Sequence, residues 1–271
     1  MEPPLLEIAF LGAIQGLTEF LPISSDGHLA LAAILFGIEG TGLTLNVLLH
    51  AGTLLATALV LRQRVGSAVS EGLRACVEPS RFKSTPGGRD AGMVILASIP
   101  TAAIGLVLRN AVERWTTSPL AIGLGFLLTS AVLISTRFAK PGSKDGPSAL
   151  GALMIGVAQG FAVLPGFSRS GATITMALWL GIKPDRAFEL SMLMSLPAVL
   201  GAILLEAPKA NAGELGVAAF GAVVAFGVGV AALLMLRRVV VRGWFSLFAL
   251  WVLPLALATL TMARAWPGSA G

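Results

Sequence analysis

Charged side chains are scarce in this chain of 271 residues, because Asp, Glu, Lys and Arg together make up 12%, against roughly a quarter in soluble proteins. Hydrophobic residues account for 55%, and the mean hydropathy is +0.85. A soluble core cannot absorb so much apolar surface. The composition therefore excludes an ordinary water-soluble domain and predicts a polytopic membrane protein.

The chain also has a single cysteine and no Lys or Arg among its first ten residues. The single cysteine, Cys76, can form no intramolecular disulfide, so redox chemistry is not expected. The first ten residues, MEPPLLEIAF, contain acids and no Lys or Arg, which argues against a cleaved secretory signal. The net charge of +5 is more typical of loop topology than of nucleic-acid binding in a membrane protein, and no nucleic-acid partner is expected.

Six apolar segments have about the length needed to cross roughly 30 Å of hydrocarbon. They lie near residues 43–61, 91–108, 118–136, 187–205, 215–236 and 244–263. The predicted fold is all-α and polytopic, with residues 1–271 forming a single membrane domain.

An internal repeat relates residues 12–38 to residues 156–182 at a constant offset of 144. Eight of the 27 aligned positions are identical, among them Gln15/Gln159 and Ser24/Ser168. In each copy a cluster of Pro, Ser and Gly interrupts an apolar run, and the helices on either side are too short for a full crossing. We interpret the copies as re-entrant hairpins, at 5–38 in a first half (1–138) and at 149–182 in a second half (147–271).

The distribution of basic residues predicts the topology. A hairpin returns to its own side, so three spans in each half invert the second copy relative to the first. Fourteen Lys and Arg residues fall in loops on one side and four on the other, which places the first side in the cytoplasm. Both termini are then expected to be extracytoplasmic.

The second break carries Arg169 between Ser168 and Ser170, inside an apolar segment. Burying an arginine costs about 2.5–3.5 kcal/mol even on lenient scales, so it needs a partner or a ligand. Its planar fork matches phosphate oxygens, and the flanking Ser168, Ser170 and Gly171 resemble an anion nest. A structural ion pair with Glu19 or Asp26 is the alternative.

The first break carries the other candidate groups. Glu19, one helical turn after Gln15, could bind a divalent cation or act as a base. Ser25 and His28 offer a hydroxyl nucleophile and an imidazole that could accept a proton or itself attack. The segment Ser24, Ser25, Asp26 and Gly27 could equally be a turn and helix cap.

Asn46 and His50 are polar residues one turn apart in the first predicted span. Hydrogen bonding between helices explains them adequately. We favour that structural interpretation over a direct role in function.

The segments QGLTEFLPISSDGH and LPGFSRSGAT, followed by LLHAGTLLA and FELSMLMSLPAVLGA, resemble the bacterial undecaprenyl-pyrophosphate phosphatase family, which is linked to bacitracin resistance. The resemblance covers nearly the whole chain. It implies a hydrolase of the bacterial inner membrane that converts undecaprenyl diphosphate to the carrier lipid for peptidoglycan synthesis, with an active site on the periplasmic side.

The resemblance implies catalytic roles for Glu19, Ser25, His28 and Arg169, with Glu19 also binding a divalent cation, Mg²⁺ or Ca²⁺. We expect a second set to bind the substrate, namely Gln15, Ser24, Asp26, Gly27, Ser168, Ser170 and Gly171. Gln15, Asp26 and Asn46 stand where many members have Glu, Thr and Asp. A homodimer is left open, and the rival function is a transporter or flippase for a phosphorylated lipid, because inverted repeats with broken helices are typical of transporters.

Overall fold

The computed structural model describes residues 5–36 and 42–265, and nearly all of this part is helical. The α-helices are α1 Leu5–Thr18, α2 Ser25–Phe36, α3 Leu43–Val60, α4 Arg62–Val77, α5 Arg81–Ser84, α6 Pro86–Trp115, α7 Pro119–Ser135, α8 Ala149–Phe161, α9 Arg169–Trp179, α10 Pro184–Glu206, α11 Leu215–Val241 and α12 Ala249–Ala265.

Six helices of the described chain are long and apolar enough to cross a membrane, and they coincide with the six predicted spans. The chain is therefore a multi-pass membrane protein. The largest difference is α6, predicted at 91–108 but running over Pro86–Trp115. Its start follows from local chemistry: the side chain of Thr85 accepts a hydrogen bond from the Gly88 amide, and Pro86 is in the first turn, where its missing N–H costs nothing.

The two repeat copies form helical hairpins of matching size. The helices that leave the two breaks, α2 and α9, begin at Ser25 and Arg169 and so keep the offset of 144. The longest of the four hairpin helices, α1, has 14 residues and spans only about 21 Å. Residues 37 and 38, where the first hairpin is predicted to end, lie outside the described residues.

The helix that leaves each break is capped by the same pair of residues, a serine and a glycine three positions later. The hydroxyl of Ser24 accepts a hydrogen bond from the Gly27 amide (3.3 Å), and that of Ser168 accepts one from the Gly171 amide (3.1 Å). Such a bond satisfies an amide that has no partner inside its helix. The alternative interpretation of Ser24 as a helix cap is therefore confirmed, and Ser168 caps its helix in the same way.

Each hairpin packs against a helix of the other half, α1 along α11 and α8 along α6. Repeated glycines permit the close approach. A Cβ at Gly12 would lie 2.6 Å from the carbonyl oxygen of Gly221, and one at Gly156 would lie 2.1 Å from that of Ala97. Small residues of this kind let helix backbones meet in membranes.

A buried ionic cluster holds α6 and α10 together near their first turns. The guanidinium of Arg186 donates to Asp90 and to Glu189, both at 2.6 Å. Arg64 adds a third contact, 3.1 Å from Glu189. Since both carboxylates are compensated by arginine, the cluster fixes these helix ends without leaving an unpaired buried charge.

Candidate active site

The two breaks meet at one cavity of about 300 Å³. Six of the predicted site residues line it: Glu19, Ser24, Ser25, Asp26, Ser168 and Arg169. Both α2 and α9 begin at this cavity, so their positive dipole ends lie close to it. The repeat therefore brings two helix N-termini and a guanidinium to one place, an arrangement that suits an anion.

Glu19 is the centre of a hydrogen-bond network. Its Oε1 accepts from Nη2 of Arg169, and its Oε2 accepts from Nε2 of Gln15 (3.1 Å) and from the hydroxyl of Ser25 (3.3 Å). Nε2 of His50 lies 3.8 Å from the same Oε2. The carboxylate thus joins the cation of the second break to the hydroxyl of the first, and the ion pair between Arg169 and Glu19 is confirmed.

Arg169 nevertheless has donor capacity left. In the described part of the chain its Nη1 is buried and has no hydrogen-bond partner. A buried donor without a partner costs about 1–3 kcal/mol. An anion in the cavity would relieve that cost, so the ion pair with Glu19 and a ligand role are compatible.

The backbone at Ser24 is unusual. Its φ is 67°, and it is the non-glycine residue of the described chain that has a positive φ. Ser168, at the equivalent position, has an ordinary φ of −74°. Left-handed conformations of non-glycine residues concentrate at functional sites, and here the strained residue directly precedes Ser25.

The imidazole of His28 does not line the cavity. Its Nδ1 lies 2.8 Å from the carbonyl oxygen of Ser24, and its Nε2 lies 3.1 Å from the indole Nε1 of Trp251. A carbonyl can only accept and an indole N–H can only donate. His28 is therefore neutral and protonated on Nδ1, with both nitrogens engaged, and its ring packs against Phe126 and Trp251.

The other four predicted residues are not among those that line the cavity. Gln15 is fully buried and donates to Glu19. A Cβ at Gly27 would lie 2.7 Å from Cα of Gly166, so this glycine lets the two breaks touch. Gly171 donates to its cap, and Ser170 pairs with the Ser168 hydroxyl at 3.3 Å.

Four polar residues at the cavity were not predicted as site residues: Thr18, His50, Thr101 and Gln159. His50 donates from Nδ1 to the carbonyl of Asn46 (2.9 Å), which orients Nε2 toward Glu19. In the sequence His50 stands out as a polar residue within an apolar span, but hydrogen bonding between helices explains such a residue equally well. Gln159 was visible only as the repeat equivalent of Gln15.

The donor set for a divalent cation is small. Within residues 5–36 and 42–265, no three His, Cys, Asp or Glu side chains lie close enough to hold a metal by themselves. Other oxygen donors are present: the carboxylates of Glu19 and Asp26 line the cavity, and the buried Oε1 atoms of Gln15 and Gln159 have no hydrogen-bond partner in this part of the chain. Mg²⁺ is commonly held by one or two carboxylates together with substrate phosphates, so these groups fit a cation that arrives with a phosphate ligand.

A model of the family described as bacitracin resistance protein BacA matches residues 8–258. The chain belongs to this family. The undecaprenyl-diphosphatase of Desulfosudis oleivorans is 41% identical to it over 260 residues, which covers 92% of this chain and 94% of the relative. That of Desulforapulum autotrophicum is 40% identical over 252 residues (88% and 91%), and that of Korarchaeum cryptofilum is 36% identical over 265 residues (95% and 100%). The resemblance inferred from the motifs is thereby confirmed.

Proposed function

We propose that this chain hydrolyses undecaprenyl diphosphate to undecaprenyl phosphate and inorganic phosphate, and so recycles the lipid carrier for peptidoglycan synthesis. One observation carries the proposal: a hydroxyl (Ser25), a carboxylate (Glu19) and a guanidinium (Arg169) share one cavity inside an apolar protein. The names of the relatives, each of which the chain covers almost completely, support the substrate.

Ser25 is the nucleophile in this proposal. Its oxygen attacks the terminal phosphorus, the bond from that phosphorus to the bridging oxygen breaks, and undecaprenyl phosphate leaves. Glu19 accepts the serine proton through the oxygen that already receives the Ser25 hydrogen bond. Glu19 passes that proton to the bridging oxygen as undecaprenyl phosphate leaves, and Arg169 contacts the phosphoryl oxygens. Water then attacks the phosphorus of the phosphoserine, Glu19 accepts the proton of the water, and the bond from phosphorus to the serine oxygen breaks as that oxygen regains a proton.

His28 has a positioning role in this mechanism. The resemblance implies a catalytic histidine, but with Nε2 occupied by Trp251 and Nδ1 by Ser24 it has no free nitrogen for the Ser25 proton. By holding the carbonyl of Ser24, it stabilises the left-handed backbone that presents Ser25. Attack by His28 itself is the alternative, and it requires the Trp251 contact to break.

A divalent cation would be held by Glu19 and Oε1 of Gln15 and completed by diphosphate oxygens, where it would neutralise charge during phosphoryl transfer. Chelation with EDTA should then abolish turnover, and Mg²⁺ or Ca²⁺ should restore it. Gln15→Glu should be tolerated and should lower the cation concentration required for half-maximal rate. Turnover that continues in EDTA would exclude the cation.

We also infer that the hairpins are re-entrant and inverted. Three observations support this topology. The helices α2 and α9 begin at equivalent positions of the repeat, each hairpin packs against a helix of the other half, and the basic residues are concentrated in the loops of one side. Single cysteines at Ser80 and Asn110, in a Cys76→Ser background, should be labelled from opposite faces of the membrane. Labelling of both from the outside would exclude the inversion.

The decisive experiment measures phosphate release. Purified protein in detergent, given a polyprenyl diphosphate, should release inorganic phosphate, and Ser25→Ala protein prepared in parallel should not. A transporter breaks no bond, so the absence of release from well-folded wild-type protein would favour lipid transport.

A further inference from the structure

Gln159 of α8 is a buried glutamine that has no role in the mechanism so far. The residue is 3% exposed and lines the same cavity as Glu19 and Arg169. It occupies the position in the second copy of the repeat that Gln15 has in the first. A polar side chain buried this deeply is expected to have hydrogen-bond partners at both ends of its amide.

The amide nitrogen of Gln159 has such partners. Nε2 lies 3.1 Å from the carbonyl oxygen of Met194 in α10 and 3.3 Å from the hydroxyl oxygen of Thr101 in α6. A main-chain carbonyl can only accept, so the nitrogen of the amide, and not its oxygen, faces Met194. The hydroxyl proton of Thr101 is directed to the carbonyls of Ala97 (2.8 Å) and Gly156 (2.9 Å). Thr101 therefore accepts from Gln159, and the two contacts fix the orientation of the amide.

The amide oxygen of Gln159 is left without a partner. In the described part of the chain its Oε1 is buried and accepts no hydrogen bond, a state that costs free energy. Because Nε2 is already engaged, Oε1 is the group that Gln159 offers to a ligand in the cavity. A carbonyl oxygen binds hydrogen-bond donors and cations, whereas it repels charged phosphoryl oxygens, which are acceptors as well. Among the reactants, water and a divalent cation meet this requirement.

The two glutamines of the repeat differ in what holds them. Nε2 of Gln15 donates to the carboxylate of Glu19 (3.1 Å), so this amide lies beside a negative charge that attracts a cation. Nε2 of Gln159 is held by neutral groups, a hydroxyl and a carbonyl, and no carboxylate of the described residues is hydrogen-bonded to it. A neutral acceptor away from a carboxylate favours a neutral ligand, which is water.

We propose that Gln159 positions the water molecule that hydrolyses the phosphoserine at Ser25. Oε1 of Gln159 accepts one hydrogen bond from this water and the carboxylate of Glu19 accepts the other, so that a lone pair of the water oxygen is directed at phosphorus. Glutamine side chains orient the attacking water in other phosphoryl-transfer enzymes. The cavity of about 300 Å³ has room for a phosphoryl group and a water, which occupies about 30 Å³ in the liquid. The proposal rests on the proposed phosphatase function and adds a residue to its second step.

In this step the water oxygen forms a bond to phosphorus while the bond from phosphorus to Oγ of Ser25 breaks. The proton that faces Glu19 passes to that carboxylate and then to Oγ of Ser25, along the hydrogen bond that joins the two groups (3.3 Å). The second proton stays on the former water oxygen, which leaves as a hydroxyl of inorganic phosphate. Gln159 gains and loses no proton, so it is a positioning residue.

Rapid-quench kinetics separate the two steps of the reaction. Protein in detergent is mixed with a 55-carbon polyprenyl diphosphate labelled in its terminal phosphate, and acid-stable phosphoserine and inorganic phosphate are measured over time. Gln159→Met keeps the length of the side chain but has no acceptor oxygen. Hydrolysis of the phosphoserine should slow by about 10²-fold, the loss that a misplaced reactant produces, while its formation changes little. Phosphoserine should therefore accumulate to nearly one per enzyme, well above the wild-type amount.

Thr101→Val is the matched control. It removes one partner of Nε2 but keeps Oε1 and the contact with Met194, so phosphoserine should not rise above the wild-type amount. Thermal unfolding in detergent shows whether each variant is folded. If Gln159→Met does not fold, Gln159→Asn, whose oxygen is withdrawn by one carbon–carbon bond, should show the same accumulation to a smaller extent.

Several results would overturn the role of Gln159. Equal accumulation in Thr101→Val would assign the effect to the contact between helices, and folded Gln159 variants that accumulate no phosphoserine would show that Oε1 does not act on the second step. A higher cation concentration for half-maximal phosphoserine formation in Gln159→Met would make Oε1 a cation ligand. A wrong function is distinguished from all of these, because the wild-type protein would then release no inorganic phosphate.

Discussion

Ser24 and Ser168 cap the helices that leave their breaks in the same way, yet φ is 67° at Ser24 and −74° at Ser168. The second break is anchored to α7, because Thr129 donates to the Gly166 carbonyl (2.7 Å) and accepts from the Ser168 amide (2.9 Å). The first break is held instead by the imidazole of His28. The unstrained, anchored second break carries the guanidinium of Arg169, and the strained first break carries the hydroxyl of Ser25.

This difference shows how two copies of one repeated turn can take different roles. Binding an anion needs a fixed arrangement of donors, which an unstrained, anchored turn provides. Presenting a nucleophile requires one side chain in a particular orientation, and strained backbone is common at such positions. Paired substitutions in the two breaks test this division of roles.

The largest effect is expected at the contact between the breaks. Arg169→Met should lower turnover by about 10³-fold or more, as removal of a charge-stabilising arginine does in phosphoryl transfer. It also leaves the carboxylate of Glu19, 8% exposed, without its cation, which costs about 3–5 kcal/mol of stability. Phosphate release and thermal unfolding in detergent are measured together.

A double variant separates these two effects. Glu19→Gln combined with Arg169→Met removes both charges, so stability should largely recover while turnover remains absent. If the double variant regained turnover along with stability, the ion pair would be structural and neither residue would be catalytic.

The next effect concerns the two serines that follow the caps. Ser25→Ala should lower turnover by about 10³-fold with little change in stability, because its hydroxyl makes one long hydrogen bond, to Glu19. Ser170→Ala, in the other break, should have a small effect, since its hydroxyl pairs only with Ser168 in the described chain. Rapid acid quenching with labelled substrate should trap a phosphoserine, which is acid-stable, at Ser25. An acid-labile adduct lost in His28→Ala would reverse the assignment.

A smaller effect tests what holds the first break. In His28→Asn, the side-chain amide can still donate to the Ser24 carbonyl, although it cannot act as an imidazole base. We expect it to retain most of the turnover, whereas His28→Ala should lose roughly tenfold or more through a misplaced Ser25. Equal losses in both, as large as that of Ser25→Ala, would show that the imidazole itself takes part in the chemistry.

Much of the architecture could be predicted from the sequence, because a membrane span is defined by length and hydropathy, and both are read directly from the chain. The helix starts at Ser25 and Arg169 followed from the Ser and Gly residues of the repeat. An ion pair of Arg169 with Glu19 or Asp26 was the alternative to a ligand role, and it could be anticipated because a buried arginine requires a partner.

The orientation of side chains could not be predicted in the same way. His28 lies three residues after Ser25, a spacing that allows both to face one cavity. In the structure the imidazole is turned away by its contacts with the Ser24 carbonyl, Phe126 of α7 and Trp251 of α12. Conversely, His50 faces Glu19 because α3 presents that side to α1. Both outcomes depend on contacts between segments far apart in the chain, for which a single sequence carries no signal.

The smallest effect is expected from relieving the strain itself. Ser24→Gly removes a left-handed non-glycine residue, which costs about 1–2 kcal/mol, and loses a serine cap, which costs only a few tenths of a kcal/mol when glycine replaces it. Ser168→Gly loses the same cap with no strain to relieve. We therefore expect Ser24→Gly to raise the unfolding temperature slightly and Ser168→Gly to lower it. Turnover should respond in the opposite sense at the first break, because the glycine backbone is free to leave the conformation that directs Ser25 toward the phosphate. Equal shifts in unfolding temperature for the two variants would mean that the left-handed turn stores no strain, and the contrast between the breaks would then lie in their charges alone.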